Sequence, residues 1–186
     1  FDGYKFLDRE NFEGLPVVDF EGISKKFPPK DNLLFIPITG IRMNRLRMEK
    51  FSTGKDLGYE FFSYISSEAT VLTDMIGENC FILEDNTIQP FVSVGDNVVM
   101  WSGNHIGHHS NIGNHVYFTS QVVLSGHCEV GDFSWFGVNS TIGDHTKIGE
   151  STLVGMGSLV TKDTDANSIY VGSPARKQDK SPMEVF

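Results

Sequence analysis

Six histidines lie between positions 105 and 145, and their spacing is not random. His109, His127 and His145 are separated by one constant interval, and three such intervals lead from His108 to Lys162. An imidazole titrates near neutrality, so a positioned one can remove a proton from an amine or a hydroxyl. Gathered in threes, histidines can also hold a zinc ion. Either chemistry needs a backbone that returns to the same place at that interval.

Such a backbone is written into the middle of the chain. Fifteen apolar residues stand six positions apart without a slip, from Ile76, Ile82 and Ile88 to Ile148, Val154 and Val160. The next residue is Gly in nine of the fifteen repeats, and the residue four places on is always Cys, Asn, Val, Ser or Thr. A fixed hexapeptide period predicts a parallel β-helix, with the apolar residue inside and the small residue in the narrow space near a corner. The glycines are expected to permit the corner turns. Three hexapeptides make one triangular coil, which is the interval between the histidines, so this stretch predicts about five coils. His108 takes the third position of its repeat, and His109, His115, His127 and His145 take the fourth, which are corner positions. Polar residues at corners are commonly just solvated, and that is what we expect of His115, His127 and His145.

Cys80 and Cys128 both hold the small position of their repeats, eight repeats apart. They belong on different faces and more than two coils apart, too far for a disulfide. We read both as buried space-fillers in a reducing compartment, which leaves no thiol nucleophile. No apolar run approaches membrane-spanning length, and a cytoplasmic protein is expected. The net charge is −9, yet no Lys or Arg occurs between Asp56 and Thr146. Eight basic residues lie between Lys25 and Lys55, and five from Lys147 onward. A surface without cations cannot neutralise phosphates, so nucleic acid is not an expected partner.

Three segments follow. Residues 1–66 read as a partial α/β unit: a buried strand over 33–39, a glycine turn with helix formers over 40–51, and a strand over 59–65. The β-helix occupies 67–166, and 167–186 form an exit segment ending in a loose or docking tail.

Three stretches, ITGIRMNRLR, GNHIGHHSNIG and GMGSLVTKDTDANSIYVGSPARK, resemble bacterial hexapeptide-repeat sugar acyltransferases that acetylate sialic acid or nucleotide-linked amino sugars. The resemblance implies a left-handed coil, a homotrimer and acetyl-CoA as co-substrate without a metal, in cell-surface polysaccharide synthesis. It also implies that His108 is the general base, in a cleft between two subunits. Members often follow this His with Glu; here His109 stands there as the base's partner. Members usually begin with a strand and a glycine-rich turn that holds the sugar's nucleotide. These 186 residues start about one βα unit later. Either that element precedes them or the sugar is held differently.

The resemblance further implies that the pantetheine arm lies along the backbone near Val138, Met156 and Gly157. Tyr117 would stand near the acetyl unit, where members more often have His. Lys162 lies three coils beyond His108, roughly 14 Å at parallel-strand spacing. That length is comparable to the arm, so Lys162, Arg176 and Lys177 are placed to meet the CoA phosphates. The expected activity is transfer of an acetyl group to a nucleotide-linked amino sugar, with O-acetylation of a sugar or sialic acid as the alternative. A non-catalytic scaffold would not need the GNHIGHHS loop. A zinc hydratase of the β-helix type pairs two His ligands five residues apart, a spacing that no pair here shows, so no metal is expected.

Overall fold

The computed structural model describes residues 10–186, so the first nine residues of the expected 1–66 unit lie outside it. Its body is a parallel β-helix with three flat faces. Face one stacks seven parallel strands, from Tyr64–Ile65 through Phe81–Ile82, Val99–Met100, Tyr117–Phe118, Trp135–Phe136 and Leu153–Val154 to Ile169–Val171. Face two stacks six, from Thr70–Val71 through His105–Ile106 to Leu159–Val160, and face three four, from Ser93–Val94 to Lys147–Ile148. The register is the sequence period: His105 pairs with Thr87 below and Val123 above, each three hexapeptides away. Face one gains a strand beyond the regular repeats at each end, Tyr64–Ile65 and Ile169–Val171, so the coil makes about six turns rather than five.

The interior follows the apolar ladder. Ile82, Ile88, Met100, Ile106, Phe118, Leu124, Phe136, Ile142 and Val154 are fully buried in one continuous core. Phe118 and Phe136 stack with ring centroids 4.6 Å apart, almost parallel. Each such side chain contributes about 1.5–3 kcal/mol of burial energy, which a short two-residue strand could not supply alone. The small residues are sealed too: the Asn104 side chain donates to Asn86 Oδ1 at 2.9 Å, and Asn86 donates to the Leu83 and Trp101 carbonyls, both at 2.8 Å.

The corners differ from expectation in one respect. The recurrent glycine at the second position does not make the turn. The left-handed residue is the fourth of each repeat, and it is usually not glycine: Asn97, His109, His115, His127, Asn139 and His145 all have φ between +57° and +60°. Asn and His tolerate that conformation better than most residues. The glycine at the second position answers a different need, close stacking of coils. A Cβ on Gly107 would lie 2.5 Å from the Gly126 nitrogen in the coil above.

The N-terminal unit is a small parallel strand–helix–strand: Leu33–Leu34, the helix Arg45–Asp56, and Glu60–Phe61. Its core is Leu34, Ile36, Phe51, Tyr59 and Phe61. The helix begins at Arg45, later than the 40–51 expectation, because Arg42, Met43 and Asn44 all take left-handed φ of 51°, 47° and 68°. That turn aims the Arg47 side chain into the β-helix. Arg47 is wholly buried and donates to the carbonyls of Ile38, Asn97, His115 and Val116 at 3.1–3.4 Å. Among the described residues it forms no salt bridge, and burial lowers its pKa to about 10. The C-terminal tail docks rather than hangs loose. Pro182 is buried, Ser181 and Glu184 cap one another, and Phe186 packs its ring 5.5 Å from Trp135. Among the described residues, no helix is long and apolar enough to cross a membrane.

Candidate active site

The strand His105–Ile106 on face two turns at Gly107–Ser110 into Asn111–Ile112 on face three, and that corner presents His108 and His109 to solvent. The turn is tied from both sides. The His108 N–H donates to Gln89 Oε1 at 2.9 Å, and the His109 N–H donates to the Pro90 carbonyl at 3.2 Å. The left-handed φ of +59° at His109 turns its side chain toward its neighbour. The two Nδ1 atoms lie 3.0 Å apart, a distance at which one ring donates a proton and the other accepts it. Whichever ring donates through Nδ1 keeps its Nε2 lone pair free.

Beneath the His108 ring is bare backbone. A Cβ on Gly126 would fall 2.9 Å from His108 Cε1 and 3.0 Å from Nε2, so only glycine at 126 leaves the ring its place. Sequence reasoning missed this seat. The signal was available, since Gly126 stands one full coil beyond His108.

The stack predicted from the coil spacing is present. His109 and His127 lie 4.9 Å apart between ring centroids, and His127 and His145 4.7 Å apart, with Phe91 4.7 Å from His109 at the lower end. The His127 pKa is lowered, chiefly by loss of solvation and then by its histidine neighbours His145, His109 and His108. Ligand nitrogens of His108, His109 and His127 all fall within 4.8 Å of one another.

His115 does not match its expected solvated state. It sits on the corner between faces three and one, partly covered by the N-terminal unit. Its Nδ1 accepts from the Asn97 side chain at 2.8 Å, its ring stacks on Phe133, and Arg47 binds its carbonyl. Burial, then the Arg47 charge, lower its pKa to about 4, so it is neutral and structural. The cysteines are inert. Burial pushes Cys80 up to about 11 and raises Cys128 as well, and both are free thiols.

The remaining predicted residues divide between two edges of the prism. Lys162 follows Leu159–Val160 on face two, so it shares the His108 edge, three coils on. Lys162 and Arg176 line one 290 Å³ hollow with Tyr170 and Pro174. Neither forms a salt bridge among the described residues, whereas Lys177 is paired with Asp165 at 2.9 Å. Val138, Met156 and Gly157 lie on the edge between faces one and two, with Met156 79% exposed. Tyr117 is on face one, 6% exposed, its hydroxyl accepting from the Trp101 indole N–H. Tyr117, Val138, Trp101, Trp135 and Phe186 line a groove of 520 Å³. A single chain thus joins His108 to His109 and Lys162 to Arg176, and places Tyr117 with Val138, but the two groups occupy different edges.

No protein-family model matches the sequence, and neither does any curated protein. Solved structures do. PerB from Caulobacter crescentus, in complex with CoA and GDP-perosamine, superposes with a TM-score of 0.83 at 24% identity, over 91% of this chain and 81% of that one. The acetyltransferase domain of PglB from Neisseria gonorrhoeae, in complex with acetyl coenzyme A, gives 0.83 at 20% identity, over 91% and 82%. WeeI from Acinetobacter baumannii gives 0.79 at 23% identity, over 90% and 80%. The chain has the fold of these proteins. At this identity the likeness extends to the backbone course, the three-faced coil with its N-terminal α/β unit, and to the left hand of the helix.

Proposed function

We propose that this protein is an acyltransferase that moves an acetyl group from acetyl-CoA to the amino group of a nucleotide-linked sugar, with His108 as general base. The observation that carries this reading is the His108–His109 pair, Nδ1 to Nδ1 at 3.0 Å, on an exposed corner with the His108 ring seated over Gly126. Support comes from two of the structural neighbours, one of which holds CoA with GDP-perosamine and the other acetyl coenzyme A.

In this mechanism His108 carries its proton on Nδ1 and donates a hydrogen bond through it to His109, which leaves the His108 Nε2 lone pair free to accept a proton. The sugar amine attacks the thioester carbonyl carbon directly. As the C–N bond forms, Nε2 takes a proton from the attacking nitrogen. The tetrahedral intermediate collapses with cleavage of the C–S bond, and the leaving thiolate takes the proton back from His108. No covalent enzyme intermediate forms. His109 is a neutral partner, so it orients the ring and fixes its tautomer without the charge a carboxylate would add. Backbone N–H groups at a corner stabilise the developing oxyanion.

The separation of the residues over two edges supports a homotrimer. A threefold axis would bring the His108 edge of one copy against the Val138–Met156 edge of the next, completing a cleft that one chain cannot. The arm of CoA would run along Val138, Met156 and Gly157, with Tyr117 near the acetyl end and the phosphates at Lys162 and Arg176. The test is incubation with acetyl-CoA and a panel of nucleotide-linked 4-amino and 3-amino sugars, with products read by mass spectrometry. One added acetyl group, formed far more slowly with His108→Ala, is expected. Acetylation only of hydroxyl sugars would reassign the acceptor atom, and a monomer by light scattering would exclude the shared cleft.

A further inference from the structure

We propose that His108, His109 and His127 form a binding site for a borderline divalent cation of the Zn²⁺ type, and that occupancy withdraws His108 from proton transfer. Three features carry this. First, one nitrogen from each ring already lies within 4.8 Å of the other two, and the His108 and His109 nitrogens are 3.0 Å apart. Ligands at about 2.0–2.1 Å around a tetrahedral zinc sit roughly 3.4 Å from one another. Modest rotation of three exposed rings closes the remaining gap. Second, the backbone beneath the rings is rigid. The His127 N–H donates to the His108 carbonyl at 2.9 Å, and His109 is held by Pro90 at 3.2 Å, so the three Cβ atoms are fixed before any ion arrives. Third, no Lys or Arg occurs between Asp56 and Thr146, so these coils carry no cation of their own, and the chain is acidic overall. Three neutral imidazoles with a fourth position left to water suit zinc, and also nickel and copper, better than the hard cations magnesium and calcium.

The ligand spacing differs from the five-residue pair of the zinc hydratases. Here the ligands are adjacent residues on one coil and a third from the next coil. Coordination uses a nitrogen lone pair on each ring. A His108 nitrogen bound to a metal cannot accept a proton from an amine, so the ion acts as a reversible inhibitor. This regulatory part rests on His108 being the base, whereas the site itself does not.

The experiment uses untagged protein. Calorimetric titration with ZnCl₂ should give one ion per chain, and CoCl₂ should develop the visible bands of a low-coordinate nitrogen site. His127→Ala should weaken binding by at least about tenfold, since it removes a ligand outright. It should leave metal-free acetyl transfer unchanged. His145→Ala, one step further along the stack, should bind as the wild type does. Zinc should slow acetyl transfer by the wild type, reversibly with a chelator, and not by His127→Ala. No binding at up to about 100-fold molar excess of zinc, or equal binding by His127→Ala and the wild type, overturns the site. Stoichiometric binding without loss of rate overturns the regulatory role. A protein that binds one zinc through His127 but acetylates no sugar would fail the acyltransferase reading alone.

Discussion

Gly126→Ala tests the seat of His108, the proposed base, without touching a reacting group. An added methyl would lie 2.9 Å from His108 Cε1 and 3.0 Å from Nε2. Comfortable carbon contacts begin at about 3.5 Å. The ring must therefore move by about 0.6 Å or more, which disturbs the 3.0 Å contact it now shares with His109. A misplacement near 1 Å can cost about 10²-fold in rate, so turnover should fall by about 10- to 100-fold. Stability should change little. The φ of Gly126 is not in the left-handed region, and the clashing atoms belong to an exposed, movable ring. The assay is steady-state release of free CoA thiol with acetyl-CoA and the accepted sugar, beside a thermal melt. We expect kcat to drop, the KM for acetyl-CoA to hold and the melting temperature to stay. Wild-type turnover in a folded Gly126→Ala protein would refute the seat, and with it the role of ring placement at this corner.

His108→Ala should lower turnover by about 10²–10⁴-fold, the usual contribution of a positioned base, and His109→Ala should cost less; steady-state rates on protein of unchanged oligomer size check both. Reversing charge at Lys162 or Arg176 to Glu should weaken acetyl-CoA binding, with the difference from wild type shrinking as salt is raised; calorimetry at two ionic strengths measures it. Arg47→Ala leaves the carbonyls of Asn97, Ile38 and His115 without the donor they have now. At about 1–3 kcal/mol for an unsatisfied group, the loss should be about 3 kcal/mol or more, read from denaturant midpoints. His115 is neutral in the fold with a pKa of about 4, against 6.5 for a free imidazole. An unfolded chain therefore gains a proton that the folded one refuses as pH falls from about 6.5 toward 4, so acid destabilises the fold in that window. The melting temperature should decline over it in the wild type, and less in His115→Asn, where Asn suits the left-handed corner.

The hexapeptide period determined more of this molecule than any single residue did. Because every coil has the same length, one local rule repeated fifteen times decides which side chains enter the core, and steps of three repeats decide which corner residues stack. The His109–His127–His145 column and the placement of Lys162 above His108 follow from that arithmetic alone. The same arithmetic assigns Val138 and Met156 to another edge than His108. Contacts that carry no period were out of its reach. The N-terminal unit docks through Arg47, and its acceptors at Asn97 and His115 lie 50 and 68 residues away in the chain. No local pattern announces that His115 is thereby covered and held neutral while His127, identical in its repeat position, stays exposed. The late start of the helix at Arg45 has the same origin, since the three left-handed residues before it are anchored by Asn44, wholly buried with its side chain donating to the Phe133 carbonyl at 3.3 Å. The choice of glycine at 126 also reads as one more small residue until the coil below is in place. A repeat specifies the neighbours of each residue within its own column, and only the folded chain decides which columns are roofed, which rings find a partner across a turn, and which corner is left open for chemistry.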